Sequence, residues 1–143
     1  MWSDTLFAAE RAHLLRLLLW GASSVVVGTL IVVVLTVRRA KAPIVAQFAV
    51  QALGWGVIEL AISANAWRAQ PMRDVSAAVR LDRITWFSAG LDVGLVAVGI
   101  ALAVAGWMGR RLGVVGVGLG VVVQGLALLV LNLTFLSILA RLV

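Results

Sequence analysis

Two carboxylates, Glu59 and Asp92, stand inside stretches that are otherwise almost wholly apolar. Asn132 and Gln124 lie in another such stretch, Trp20 and Ser24 in a fourth, and Gln51 and Trp55 step by fours towards Glu59. An ionised acid at the centre of a lone membrane helix costs about 2.5–3.5 kcal/mol, and two at one level also repel each other. The expected outcomes are protonation, a shared proton or a bound cation. A tryptophan face beside an acid suits an organic cation. The chemistry in view is therefore proton or cation handling, with Glu59, Asp92, Asn132, Gln124, Gln51, Ser24, Trp55 and Trp20 as candidate ion- or ligand-binding residues.

The elements that must position these groups follow from composition. The 143 residues are 63% hydrophobic and 13% charged, with a mean hydropathy of +1.11. A soluble domain of this size is closer to half apolar and a quarter charged. The pattern predicts an all-α integral membrane protein, one transmembrane domain over 1–143, with spans at about 14–37, 44–67, 84–108 and 113–140. Each span exceeds the roughly 20 residues needed to cross a ~30 Å hydrocarbon core. The runs do not alternate as barrel strands must. Residues 1–13 form an amphipathic segment with Leu6, Phe7 and Leu14 on its apolar side, capped by Ser3 or Asp4. Pro43 suits the first turn of the second span. Residues 68–83 form the one long polar connection, in which Asp74 is expected to start a short surface helix.

Glu59, Asp92, Asn132 and the Ser23–Ser24 pair each fall about eight to ten residues from the helix end on the termini side. At 1.5 Å per residue this is one level, roughly 12 Å deep. Gln51 and Gln124 form a second, uncharged level nearer the other face. Small residues at Gly90-x-x-x-Gly94 and Gly116-x-x-x-Gly120 predict close helix approach. Trp2, Trp67, Trp86 and Trp107 lie near span ends, as interfacial tryptophans do. Arg16 is a candidate counter-charge nearer the surface.

Several classes fall away. The chain has no cysteine, so thiol chemistry and thiolate metal sites are out. The net charge of +6 resides at the ends of apolar stretches, where arginines anchor helices and meet anionic headgroups; membrane lipids are the expected partner and nucleic acid is not. Glu10-Arg-Ala-His13 has the spacing of carboxylate di-iron helices, but those need the motif twice and further acids. One histidine also rules out bis-histidine haem within a single chain, so neither metal nor cofactor is expected. The glycines from Gly113 to Gly120 lack the lysine and strand–turn–helix setting of a phosphate loop. No cleavable leader is expected. The basic residues divide five against seven between the two faces, and the reading adopted is a multi-pass protein of the cell (inner) membrane with cytoplasmic termini.

The stretches "AGLDVGLVAVGIAL" (89–102), "GVGLGVVVQGLALLVLN" (116–132) and "FAVQALGWGVIELAIS" (48–63) together resemble an uncharacterised family of small four-helix bacterial membrane proteins. The likeness covers roughly residues 44–140. Asp92, Gly94, Gln124 and Gly125 fit its Gly-Leu-Asp-Val-Gly and Gln-Gly stretches. Glu59 and Asn132 depart from it, since the family often has asparagine and aspartate there. The resemblance implies the four-helix fold and no function.

Three functions remain. The first is a proton- or cation-coupled small-molecule transporter or permeation unit, acting as a homodimer at this size. The second is a non-enzymatic accessory or scaffold protein, or a holder of a lipid or apolar ligand, in which protonated acids only fix helix register. The third is an intramembrane enzyme on a lipid-like substrate, with Asp92 and Glu59 as acid and base; this reading expects a lateral opening to lipid beside the acids. No nucleophile–base arrangement is visible and no catalytic residue is assigned.

Overall fold

The computed structural model describes residues 2–142, with side chains described from Ser3 onwards, so the expectation for Trp2 lies outside them. Four helices account for nearly all of the described chain: α1 (Trp2–Val37), α2 (Pro43–Arg68), α3 (Val75–Met108) and α4 (Leu112–Leu139). There is no strand among the described residues. All four helices are long and apolar enough to cross a membrane. Even α2, with 26 residues, reaches about 39 Å at 1.5 Å per residue.

The polar segments do not make separate elements. Residues 2–13 continue into α1 without a break, because Ala8, Ala9, Glu10, Arg11 and Ala12 all favour helix and no glycine or proline intervenes. Leu6 and Leu14 are buried on the inner side. The connection after α2 shrinks to residues 69–74. α2 ends shortly before Pro71, as a following proline demands. Asp74 starts a helix that leads into the third span, as expected, and the two form one continuous element. Its carboxylate accepts from the Ala77 amide at 2.7 Å and from Ser76 Oγ at 2.9 Å. Those bonds, the amide's first, hold the exposed Asp74 carboxyl below its usual value.

The two remaining turns share a device. Arg39 and Arg110 have φ of 48° and 52°, the left-handed conformation that usually selects glycine. Around them Ala40 N–H donates to Leu35 O at 3.0 Å and Arg111 N–H to Gly106 O at 2.8 Å. Each is the long-range bond of a Schellman helix end. Pro43 occupies the first turn of α2.

α1 packs on α2 and α3 on α4; α4 also packs against α2 and, less extensively, α1. Glycines set this pattern. On α4, Gly118 abuts the Ala103 and Gly99 backbone of α3, and Gly116 abuts the Ile44 carbonyl of α2. A Cβ on Gly120 would come 2.6 Å from Gln51 Cβ. Gly90 and Gly94, by contrast, meet nothing within 4 Å. Their spacing is that of a packing motif, yet α3 turns a different glycine pair, Gly99 and Gly106, to α4. At the termini end, Leu6, Ala78, Ala89, Phe135, Leu136 and Leu139 form an apolar cluster joining α1, α3 and α4.

Candidate functional site: an acidic cleft between α2 and α3

α2 and α3 never approach closely: no pair of their Cα atoms comes within 8 Å among the described residues. Both helices instead line a cavity of about 920 Å³ that α1 and α4 close from behind. Ile58, Ile62, Ile84, Leu91 and Val98 border it and are about half or more exposed. The cavity is thus a cleft that opens sideways between two helices long and apolar enough to cross a membrane.

Its polar content is concentrated. Asp92 of α3 is 5% exposed and accepts a 2.7 Å hydrogen bond from Asn132 Nδ2 of α4. The geometry that allows this is local: Gly125 brings α4 against the Asp92 carbonyl, where a Cβ would lie 3.0 Å away. Glu59 of α2 faces the same cavity, is half-buried, and has no hydrogen-bond or ion-pair partner among the described residues. Trp55, one turn before Glu59, also lines the cleft. Ser88 and Thr85 line it from α3, but their hydroxyls donate to Ile84 O and Leu81 O of their own helix.

The remaining candidates lie elsewhere. Ser24 is buried, but against Gly56 at the α1–α2 contact, outside the cleft. Ser23 is exposed and bonded to Leu19 O. Gln124 is 3% exposed and accepts from Trp20 Nε1 at 3.1 Å, a bond between α1 and α4 behind the cleft. Gln51 packs over Gly120. Arg16 is exposed and lines a separate surface pocket with Trp20. Of the eight candidates, Glu59, Asp92, Asn132 and Trp55 share the cleft.

His13, Glu10 and Arg73, absent from the candidate set, also line it. His13 is 6% exposed and stacks flat on Phe135, with centroids 4.3 Å apart and planes 5° from parallel. Its Nδ1 has no partner among the described residues, while its ring neighbours the Asn132 side chain. Because α1 continues as one helix past residue 13, its only histidine reaches the acid level instead of staying outside it. Glu10 and Arg73 close the termini-side end with a two-pronged ion pair, Nε to Oε2 at 2.7 Å and Nη2 to Oε1 at 2.6 Å. The bonds that Arg73 donates to Glu10 raise its guanidinium above its already high value. Gln70 Nε2 donates to Phe7 O at 3.3 Å, so the 69–74 connection is tied to α1 twice. The Glu10–Arg73 pair joins residues far apart in sequence, and nothing in their spacing announces it. No group of three or more His, Cys, Asp or Glu side chains able to hold a metal occurs among the described residues.

The fold and cleft define a four-helix bundle, every helix long and apolar enough to cross a membrane, with carboxylates inside its apolar zone. The chain belongs to a family of unknown function, DUF6992, which matches residues 16–133. The match takes in Glu59, Arg73, Asp92 and Asn132 and stops short of Glu10, His13 and Phe135. No curated protein and no solved structure matches the chain.

Proposed function

We propose that the protein is a proton- or cation-coupled small-molecule transporter or permeation unit, with Glu59 and Asp92 as its coupling pair. One observation carries this reading: both carboxylates face a single cavity of about 920 Å³, and Glu59 has no protein partner there among the described residues. An acid at membrane depth with no partner supplied by the protein is available to a proton or a cation. The volume is in the range of sites for small organic ligands, roughly 300–1,000 Å³. Asp92, anchored by Asn132, keeps its place while its occupancy changes. A second copy is expected to complete the path, since one cleft spans only part of the bilayer.

The test is flux in reconstituted vesicles with a pH gradient and a trapped pH indicator. Tetraethylammonium and dodecyltrimethylammonium serve as a water-soluble and an amphiphilic cation. The expected result is cation-dependent proton movement with at least one of them, lost in Glu59→Gln and Asp92→Asn while the helical fold persists. Absence of flux in the folded wild type, together with variants that melt at the same or a higher temperature, contradicts the reading. The acids would then be packing groups, as in a scaffold. His13, which lines the same cleft, favours one further reading, proton transfer on a lipid-like substrate. Turnover of lipid in the same vesicles, without flux, would establish it.

A further inference from the structure

We infer that the cleft takes its ligand sideways from the bilayer, and that the ligand is an amphiphilic organic cation whose charged head pairs with Glu59. The inference rests on the acid-site reading above and adds the ligand class and the route.

Two physical features of the cleft lead there. The first is the difference between its two openings. At the aqueous end stand Arg73 and Arg80. Glu10 is engaged by Arg73, and Asp74, the acid near Arg80, is engaged by the first turn of α3. A small cation arriving from water therefore meets guanidinium groups, and the doubly tied connection, before any free carboxylate. The lateral opening is apolar along the borders that α2 and α3 supply between the acid level and the arginines. It is bordered by Ile58, Ile62, Ile84 and Leu91, and α2 and α3 leave it unclosed along their length. An apolar chain enters there with no desolvation cost, because lipid tails are as apolar as these side chains.

The second feature is what waits inside. Glu59 has no partner among the described residues, and Trp55 lies one turn away on the same wall. A carboxylate beside an aromatic face is a good receptor for an ammonium head. Asp92 is already bonded to Asn132, which leaves Glu59 as the group that pairs with the head. A neutral lipid would leave that acid without a counter-charge, and an anionic lipid would oppose both acids. Charge complementarity thus selects a cation, and the apolar border selects one with a tail.

The probe for the test is a dodecyltrimethylammonium carrying a photoreactive diazirine in its tail, added at low mole fraction to vesicles holding the full chain. The expected result is saturable labelling of the α2 and α3 residues that border the cleft. Glu59→Gln should raise the half-saturating concentration by about 10- to 150-fold, the range for losing a charge-assisted contact. The chain has no native cysteine, so Ile62→Cys and Ile84→Cys can be joined across the opening by a thiol-cleavable bismaleimide. Bridging should abolish labelling and cleavage should restore it, which separates blocked access from misfolding. If tetramethylammonium in the water competes as well as the tailed cation does, the lateral route is wrong and the acid site stands. If a neutral diazirine alcohol of equal length labels equally well and Glu59→Gln has no effect, both the cation and the acid-site readings fall. Labelling without saturation, with α3 cross-linking to α3 of a second copy, means that another chain covers the cleft, and the inference is overturned.

Discussion

Asp92 illustrates what one polar contact does at membrane depth. Its carboxylate accepts from Asn132 at 2.7 Å, a bond that ties α3 to α4 and holds an acid inside the bundle. Asn132→Leu removes the donor and leaves a buried acceptor without a partner, which costs about 1–3 kcal/mol; unfolding in mixed micelles should show the loss. Asp92→Asn keeps an acceptor for Asn132 and should be far milder. The Glu10–Arg73 pair makes the converse point at the interface. Arg73→Ala strands the largely buried Glu10 and should lower stability by about 1–3 kcal/mol, whereas Glu10→Gln/Arg73→Gln together should restore much of it, a double-mutant comparison that isolates the pair. Glu59, Asp92 and Asn132 were legible in the sequence because an acid or amide in an apolar run is conspicuous, and counting 1.5 Å per residue sets its depth. Ser24 was legible as to depth and not as to direction: the helix turns it to Gly56. His13 and Glu10 fall in the stretch that reads as an amphipathic segment before the first span, since a polar stretch before an apolar run carries no sign that the helix continues through both.

Among the elements, the glycines decide which helices touch, and spacing alone does not identify them. Gly90 and Gly94 have the four-residue separation of a packing motif but face open space. Gly99 meets the Val122 backbone at 2.7 Å from an added Cβ. Gly99→Ala should therefore destabilise by about 1–3 kcal/mol through overpacking, while Gly90→Ala and Gly94→Ala should be neutral or stabilising as helix propensity improves. Thermal unfolding of the three variants checks the contrast. The basic turns hide a backbone role behind their charge. Arg110 sits at φ 52°, a conformation costing an L-residue about 1 kcal/mol, so Arg110→Gly should raise the melting temperature even though it removes a cation. At the start of α3, the Asp74 cap carries a pH signature. Its folded carboxyl is held below the usual 3.8, so its contribution is complete above that value and is lost as pH falls through the lower folded value. The protection of the Ala77 amide, relative to its intrinsic exchange rate at each pH, should fall in acid, and Asp74→Ala should remove that pH dependence.

Across the whole molecule, the helix order matters less than one absent contact. Four spans, short turns on one face and an all-α bundle follow from hydropathy and from lipid's intolerance of unpaired backbone. What hydropathy does not determine is which neighbours pack. α4 has a mean apolar character as high as any helix here, yet it alone carries glycines towards both α2 and α3. It becomes the central element, while α2 and α3 stand apart with the acids between them. That gap depends on side-chain volume along three helices at once, and no single stretch of sequence encodes it.

On the proposed reading, Glu59 and Asp92 form one exchangeable acidic site rather than two buried packing groups. Infrared spectroscopy of the protein in lipid tests it most directly. Carboxyl bands assigned by their loss in Glu59→Gln and in Asp92→Asn should respond to the pH of the aqueous phase, and removing either acid should shift the response of the other. Bands that stay constant over the whole pH range in which the fold persists, each indifferent to the other's substitution, would instead mark the two acids as independent packing groups.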